Sequence, residues 1–258
     1  MLPMQLACLL SSLLPLVEEL EPVVRDLDLL ELFGGEQMIT REARKASLEA
    51  RAFDKRYAKD GSQDLLLQQG FRTALAKVLR VKEHGTVWGA PWCGPWTFIN
   101  RSGTGRSRNN PAGDPTVERV AYSNKLTTLL VMLFLVAWAR SVNIIMEQPC
   151  SSLMRFYSPM KEFLETCMTF SQSTYLGAFG APSVKPIMLF GSSDGIKALA
   201  RSRPTGLLKL TRKENGRVNG DATALRASQA YPRGFGTAVA KVINTHFKTK
   251  PKTDRFKP

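Results

Sequence analysis

Histidine is almost absent from this chain: His84 and His246 are its only two in 258 residues. That excludes a histidine-rich metal centre and argues against a histidine-based catalytic triad. Cysteine is scarce too. Cys8, Cys93, Cys150 and Cys167 are scattered, so they supply neither a disulfide framework nor the paired spacing of a zinc site. No metal is expected, and the natural setting is a reducing one, nuclear or cytoplasmic. Signals for membrane insertion are also lacking. The opening "MLPMQLACLLSSLLPLVEELEP" has no basic start, and its acidic end suits an amphipathic helix better than a signal peptide. The apolar run "LTTLLVMLFLVAWA", bracketed by Lys125 and Arg140, is too short to span a bilayer and reads as a helix packed on a sheet.

Acidic residues are lacking where basic ones gather. From Arg201 to Pro258 there are 14 Lys or Arg and 3 Asp or Glu, whereas residues 1–60 hold 8 basic and 11 acidic groups. The whole chain carries a formal charge of +14. Such asymmetry points to a polyanion met by one face, with nucleic acid ahead of an anionic membrane. The terminal "KTKPKTDRFKP" reads equally well as a solvated tail.

What is present is a core and a rhythm. A hydrophobic content of 43% in this length suffices for one large domain. "LDLLELF" reads as a strand, "TREARKASL" as a helix, "EARAFD" as a strand and "QDLLLQQGFRTALAKVLR" as an amphipathic helix. "GTVWGA" is a short strand, Thr116 to Arg140 a long helix and "VNIIMEQP" an apolar strand. Beyond Tyr175, "TYLGAFG" and "KPIMLFGSS" read as a strand pair, and "FGTAVAKVINTHF" as a final helix. This alternation predicts an α/β fold, Rossmann-like, with a mostly parallel central sheet flanked by helices. Residues 1–26 form a helical extension, 27–247 the domain, and 248–258 the basic tail.

In such sheets ligands bind beyond the carboxyl ends of the strands, and the candidate residues fall there. Phe33-Gly34-Gly35-Glu36-Gln37 is a glycine turn from strand to helix, where backbone can approach a cofactor and Glu36 could bond a ribose. It is not a full GxGxxG. Asp54, at the end of the next strand, stands where ribose hydroxyls are held, or serves as a turn residue or a partner of Lys55 or Arg56. Asp64 could approach an adenine, though a helix N-cap is the plainer role. Cys93 follows a strand among glycines and prolines, with Arg101, Arg106 and Arg108 near enough in sequence to favour a thiolate. Glu147 ends another strand, either as an acid beside that nucleophile or as the partner of an arginine. Cys150 is a rival thiol.

Taken in order, "LELFGG", "AFD", "APWC" with "INRS", "MEQP", "GAFGAPSVKPIMLFGSS" and "SQAYPRGFG" resemble the cytosine-5 DNA methyltransferases, with divergent phage-type and protist members nearest. The resemblance runs from about Leu29 to Ile243. Gln37 stands where that family has a glycine, and Trp92 where it has a proline. It implies S-adenosylmethionine bound at Phe33, Gly34, Gly35, Glu36, Asp54, Asp64 and Pro91. Cys93 would attack C6 of a cytosine flipped out of the helix while Glu147 contacts N3. Arg101, Arg106, Arg108 and Lys185 would meet DNA, or alternatively RNA, with Lys185 at a phosphate or the nucleophile loop. The competing reading is a nucleic-acid-binding protein of the same build that transfers no methyl group.

Overall fold

The computed structural model describes residues 2–20, 23–207, 211–214, 217–220, 223 and 228–247. Six strands form its sheet: β1 (Leu27–Leu32), β2 (Ala50–Phe53), β3 (Val81–Gly89), β4 (Asn143–Pro149), β5 (Phe170–Tyr175) and β6 (Pro186–Gly191). Their spatial order is β2-β1-β3-β4-β6-β5. Neighbours among β1 to β4 pair in parallel, whereas β6 runs antiparallel to both β4 and β5. The fold is therefore α/β, with a sheet that is mostly parallel but mixed. The reversal follows from chain length. Only ten residues link Tyr175 to Pro186, and a parallel return needs about a dozen or more.

The strands form where the sequence is apolar without interruption. In β1, "LDLLEL", every residue but Asp28 is buried, as expected of a parallel strand covered on both faces. Leu30 and Leu32 point to one layer, Leu29 to the other. The first layer holds α4 (Gln68–Leu79), α5 (Glu118–Ala139) and α6 (Ser158–Cys167); the second holds α3 (Met38–Lys45) and α7 (Arg233–Val242). A π-helical turn, Ile243–Phe247, continues α7. The apolar run bracketed by Lys125 and Arg140 is most of α5, packed against β3, β4, α4 and α6. Two short helices, α1 (Met4–Ser11) and α2 (Leu14–Leu20), make up the N-terminal extension. Leu6 and Leu13, from α1 and the link to α2, are buried in the same core.

The second half departs from the sequence reading. β5 begins at Phe170, and "LGAF" of the expected strand forms a 3-10 turn closed by Gly180 at φ 97°. "FSQSTY" carries the alternating exposure of an edge strand, a weaker signal than the apolar residues after it. A hairpin of β7 (Thr211–Glu214) and β8 (Arg217–Gly220) was not anticipated. The basic tail 248–258 lies outside the described residues.

The topology fixes where a ligand fits. From β1 the chain goes outward to β2, then crosses back to place β3 on the other side of β1. At such a reversal a crevice opens beyond the carboxyl ends of the strands.

Candidate functional site

A cavity of about 850 Å³ opens at that point. Its first half is lined by Phe33, Gly34, Gly35 and Glu36 after β1, Asp54 after β2, and Asp64 in the loop before α4. Its second half is lined by Pro91 and Cys93 after β3, Glu147 in β4, and Lys185 before β6. The four strand ends singled out in the sequence thus meet at one hollow.

The first half is organised by backbone. Phe33, Gly35 and Gln37 take left-handed φ of 60°, 53° and 57°, and this winds the chain sharply from β1 into α3. The turn leaves few donors. Phe33 N–H and Gly34 N–H donate to the Phe53 carbonyl at 2.7 and 3.2 Å, and Gln37 N–H to the Gly34 carbonyl at 2.7 Å. Gly35 N–H donates to Asp54 Oδ2 at 3.0 Å, and Arg56 N–H to Asp54 Oδ1 at 2.9 Å. Asp54 therefore both faces the cavity and ties β2 to the glycine turn, so its two sequence readings hold together. A side chain at Gly34 would meet the Tyr57 hydroxyl at 2.7 Å, and one at Gly35 the Arg56 guanidinium at 2.6 Å. Arg56 lies between Glu36 and Asp54, 3.5 Å from each. Asp64 accepts from Leu66 N–H at 3.0 Å, closing a turn ahead of α4 rather than capping it, since Leu67 holds the cap position. Gln37 has the backbone conformation a glycine favours and is not part of the cavity wall.

The second half is organised by burial and side-chain bonds. Gln148 Nε2 donates to the Pro91 carbonyl at 2.9 Å, and Gln148 Oε1 accepts from Ser152 Oγ at 2.9 Å. Leu153 N–H donates to the Trp96 carbonyl at 2.8 Å. These bonds fix the Cys93 loop against the end of β4. Glu147 is only 7% exposed. Its Oε2 accepts from Tyr231 Oη at 2.7 Å, and its Oε1 is buried with no partner among the described residues. Burial pushes its carboxyl above the usual range, against the pull of Lys185 and of the Tyr231 hydroxyl. Burial also pushes the Cys93 thiol up to about 11, helped by Glu147 and opposed by Lys185. Trp92 and Tyr122 meet edge to face at 5.9 Å on the cavity wall, and Trp92 is 44% exposed.

The arginines of the following loop do not gather around the thiol. Arg106 is a correction: it is 2% exposed, and its Cζ lies 3.4 Å from the Trp96 ring centroid. It donates to Ser123 Oγ and Asn124 Oδ1, each at 2.8 Å, and to the Pro111 carbonyl. A guanidinium so enclosed anchors the loop to α5 and has no reach for a phosphate. Arg101 and Arg108 are exposed outside the cavity, over the Phe98 and Phe156 rings at 4.0 and 5.6 Å. Lys185 is the cation that acts on Cys93, although its Nζ also donates to the Ser228 carbonyl. Cys150 is half-buried, and its thiol too is raised by burial.

Sequence reasoning missed Tyr231, Gln148 and Tyr122. Gln148 stands in "MEQP" and Tyr231 in "SQAYPRGFG", two of the segments that carry the resemblance, whereas Tyr122 had no local signal. Neither the models of known protein families nor the curated proteins include a match to this chain.

Proposed function

We propose that this chain is an S-adenosylmethionine-dependent methyltransferase of Rossmann-like fold that acts on cytosine in nucleic acid, DNA above RNA. One observation carries the reading: a thiol and a buried carboxyl, one oxygen of which has no partner among the described residues, line one cavity together with the glycine turn and Asp54. The methyl donor fits the first half. Phe33, Gly34, Gly35 and Gln37 spend their N–H groups inside the protein, so the turn makes a poor phosphate cradle. Glu36, Asp54 and Asp64 on the wall outnumber Lys55 and Arg56 beside them, which leaves this half slightly acidic and suits a ligand that carries positive charge and no phosphate. Bound there, S-adenosylmethionine would supply an electrophilic methyl group.

The chain's own residues would prepare the base. Once the thiol has given its proton to solvent water, with Lys185 offsetting the charge, Cys93 Sγ bonds to C6. The C5=C6 electron pair shifts toward C4, and N3 takes the proton held on Glu147 Oε1. That leaves C5 electron-rich. A flipped base is required because these atoms are inaccessible in a duplex. Exposed Arg101 and Arg108 would meet the backbone.

DNA carrying 5-fluorocytosine tests the reading, because the fluorine blocks the final elimination and leaves the adduct in place. With S-adenosylmethionine present, the wild type and Cys150→Ser should form the adduct, and Cys93→Ser should not. Adduct on Cys150 instead would reverse the assignment of the nucleophile. A second reading, a nucleic-acid-binding protein without transfer activity, is favoured by the thiol held up near 11 with no arginine beside it. It predicts salt-sensitive DNA binding, no adduct, and no calorimetric binding of S-adenosylmethionine at millimolar concentration.

A further inference from the structure

The Glu147 carboxyl is held by a residue from the far end of the chain. Tyr231 lies 84 positions on, in the segment that leads into α7. Its ring is wedged edge-on against Trp88 at 6.0 Å and tilted on Phe235 at 5.1 Å. Trp88 belongs to β3 and Phe235 to α7, so the hydroxyl's place is set by the sheet and the helix layer together. That hydroxyl reaches Glu147 Oε2 at 2.7 Å, and both residues line the cavity. The other oxygen, Oε1, is buried and unbonded among the described residues.

We propose that Tyr231 is the positioning residue of the site: by occupying Oε2 it turns Oε1 alone toward the ligand and fixes which oxygen exchanges the proton. The proposal rests on the methyltransferase reading for the identity of the base, but the coupling of Tyr231 to Glu147 can be measured without it. The phenol acts as a neutral donor, since burial and Glu147 hold its own proton well above the usual range. A donated hydrogen bond favours the ionised carboxylate, so Tyr231 opposes the upward push of burial and helps Glu147 release its proton to the base. The other groups that act on Glu147 or Tyr231 are Lys185, Cys93, Cys150, Glu31 and the Trp88 indole N–H, which is directed at the Tyr231 hydroxyl. All of them persist when the hydroxyl alone is removed.

Tyr231→Phe keeps the ring and deletes the donor. Two readouts separate the coupling from the chemistry. The first is the protonation midpoint of Glu147 in the full-length ligand-free protein, followed by the carboxyl stretch in infrared difference spectra with Glu147→Gln as reference. The midpoint should rise in Tyr231→Phe, while unfolding by urea shows the variant folded. The second is the rate of adduct formation on 5-fluorocytosine DNA. It should fall by about tenfold, the weight of one hydrogen bond to a charged group, with its alkaline limb moved to higher pH. An unmoved midpoint in a folded variant overturns the proposal, whatever the adduct rate. A moved midpoint with an unchanged wild-type-like rate and pH profile overturns it as well, because the proton transfer would then not depend on Tyr231. A wild type that forms no adduct sinks the methyltransferase reading instead, and the midpoint shift still decides the coupling.

Discussion

Glu31 and Glu147 are nearly the same object in two places. Glu31 is 1% exposed in β1, and Glu147 is 7% exposed in β4. Each has one oxygen bonded and one buried without a partner among the described residues. Glu31 Oε2 accepts from Thr40 N–H at 2.9 Å and from Thr40 Oγ1 at 2.6 Å, as Glu147 Oε2 does from Tyr231. Burial raises both, Glu31 to about 7. Yet Glu31 lies beneath the glycine turn, off the cavity wall, whereas Glu147 is part of that wall. A perturbed carboxyl is thus a marker of burial. Access to a ligand is what separates the chemical group from the structural one.

Neutral amides at the two positions should break the symmetry. Glu147→Gln removes the proton donated to the ring and should slow adduct formation on 5-fluorocytosine DNA by ~10²–10⁴-fold. Glu31→Gln should leave that rate unchanged. Equal losses in the two variants would show that the cavity does not distinguish them.

Stability reports on Glu31 directly. Glu31 has its folded value raised from 4.5 to about 7, so the unfolded chain gives up this proton first as pH rises. The stability it contributes is complete below about pH 4.5 and is lost as pH climbs through 7, by about 3 kcal/mol in all. Urea unfolding of wild type and Glu31→Gln at pH 4.5 and pH 8 measures this. The variant should gain on the wild type by that amount at the higher pH, and parallel behaviour would refute the assignment.

The smallest effect concerns the turn above Glu31. Gln37 sits at φ 57° and ψ 31°, so Gln37→Gly should relieve left-handed strain and stabilise the fold by about 0.5–1 kcal/mol. Because Gln37 is off the cavity wall, calorimetric affinity for S-adenosylmethionine should not change. A change there would mean that the side chain reaches the ligand after all.

The first four strands and the helices between them were legible because their apolar runs and periodicities are local. So was the meeting of the candidate residues, since residues that end adjacent parallel strands must share one edge of the sheet. What escaped was long-range or enclosed. Tyr231 reaches Glu147 only through the packing of α7, and no local pattern announces that. Arg106 stands among glycines and serines and reads as solvated, but Trp96 and α5 close over it. The short link before β6 was legible, but the bounds of β5 were not, because its alternating exposure is a weaker signal than the apolar residues that follow it.

Gln148 has a mechanical consequence. By gripping Pro91 on one side and Ser152 on the other, it makes the thiol loop and the end of β4 a single stiff jamb. Widening the entrance by moving that jamb would break buried hydrogen bonds. Trp92 and Tyr122 touch only edge to face, with Trp92 partly in solvent. The two rings share no hydrogen bond, and only Tyr122 is tied down there, its hydroxyl accepting from Lys55 Nζ at 3.0 Å, so the aromatic side of the cavity is held by fewer buried bonds than the jamb.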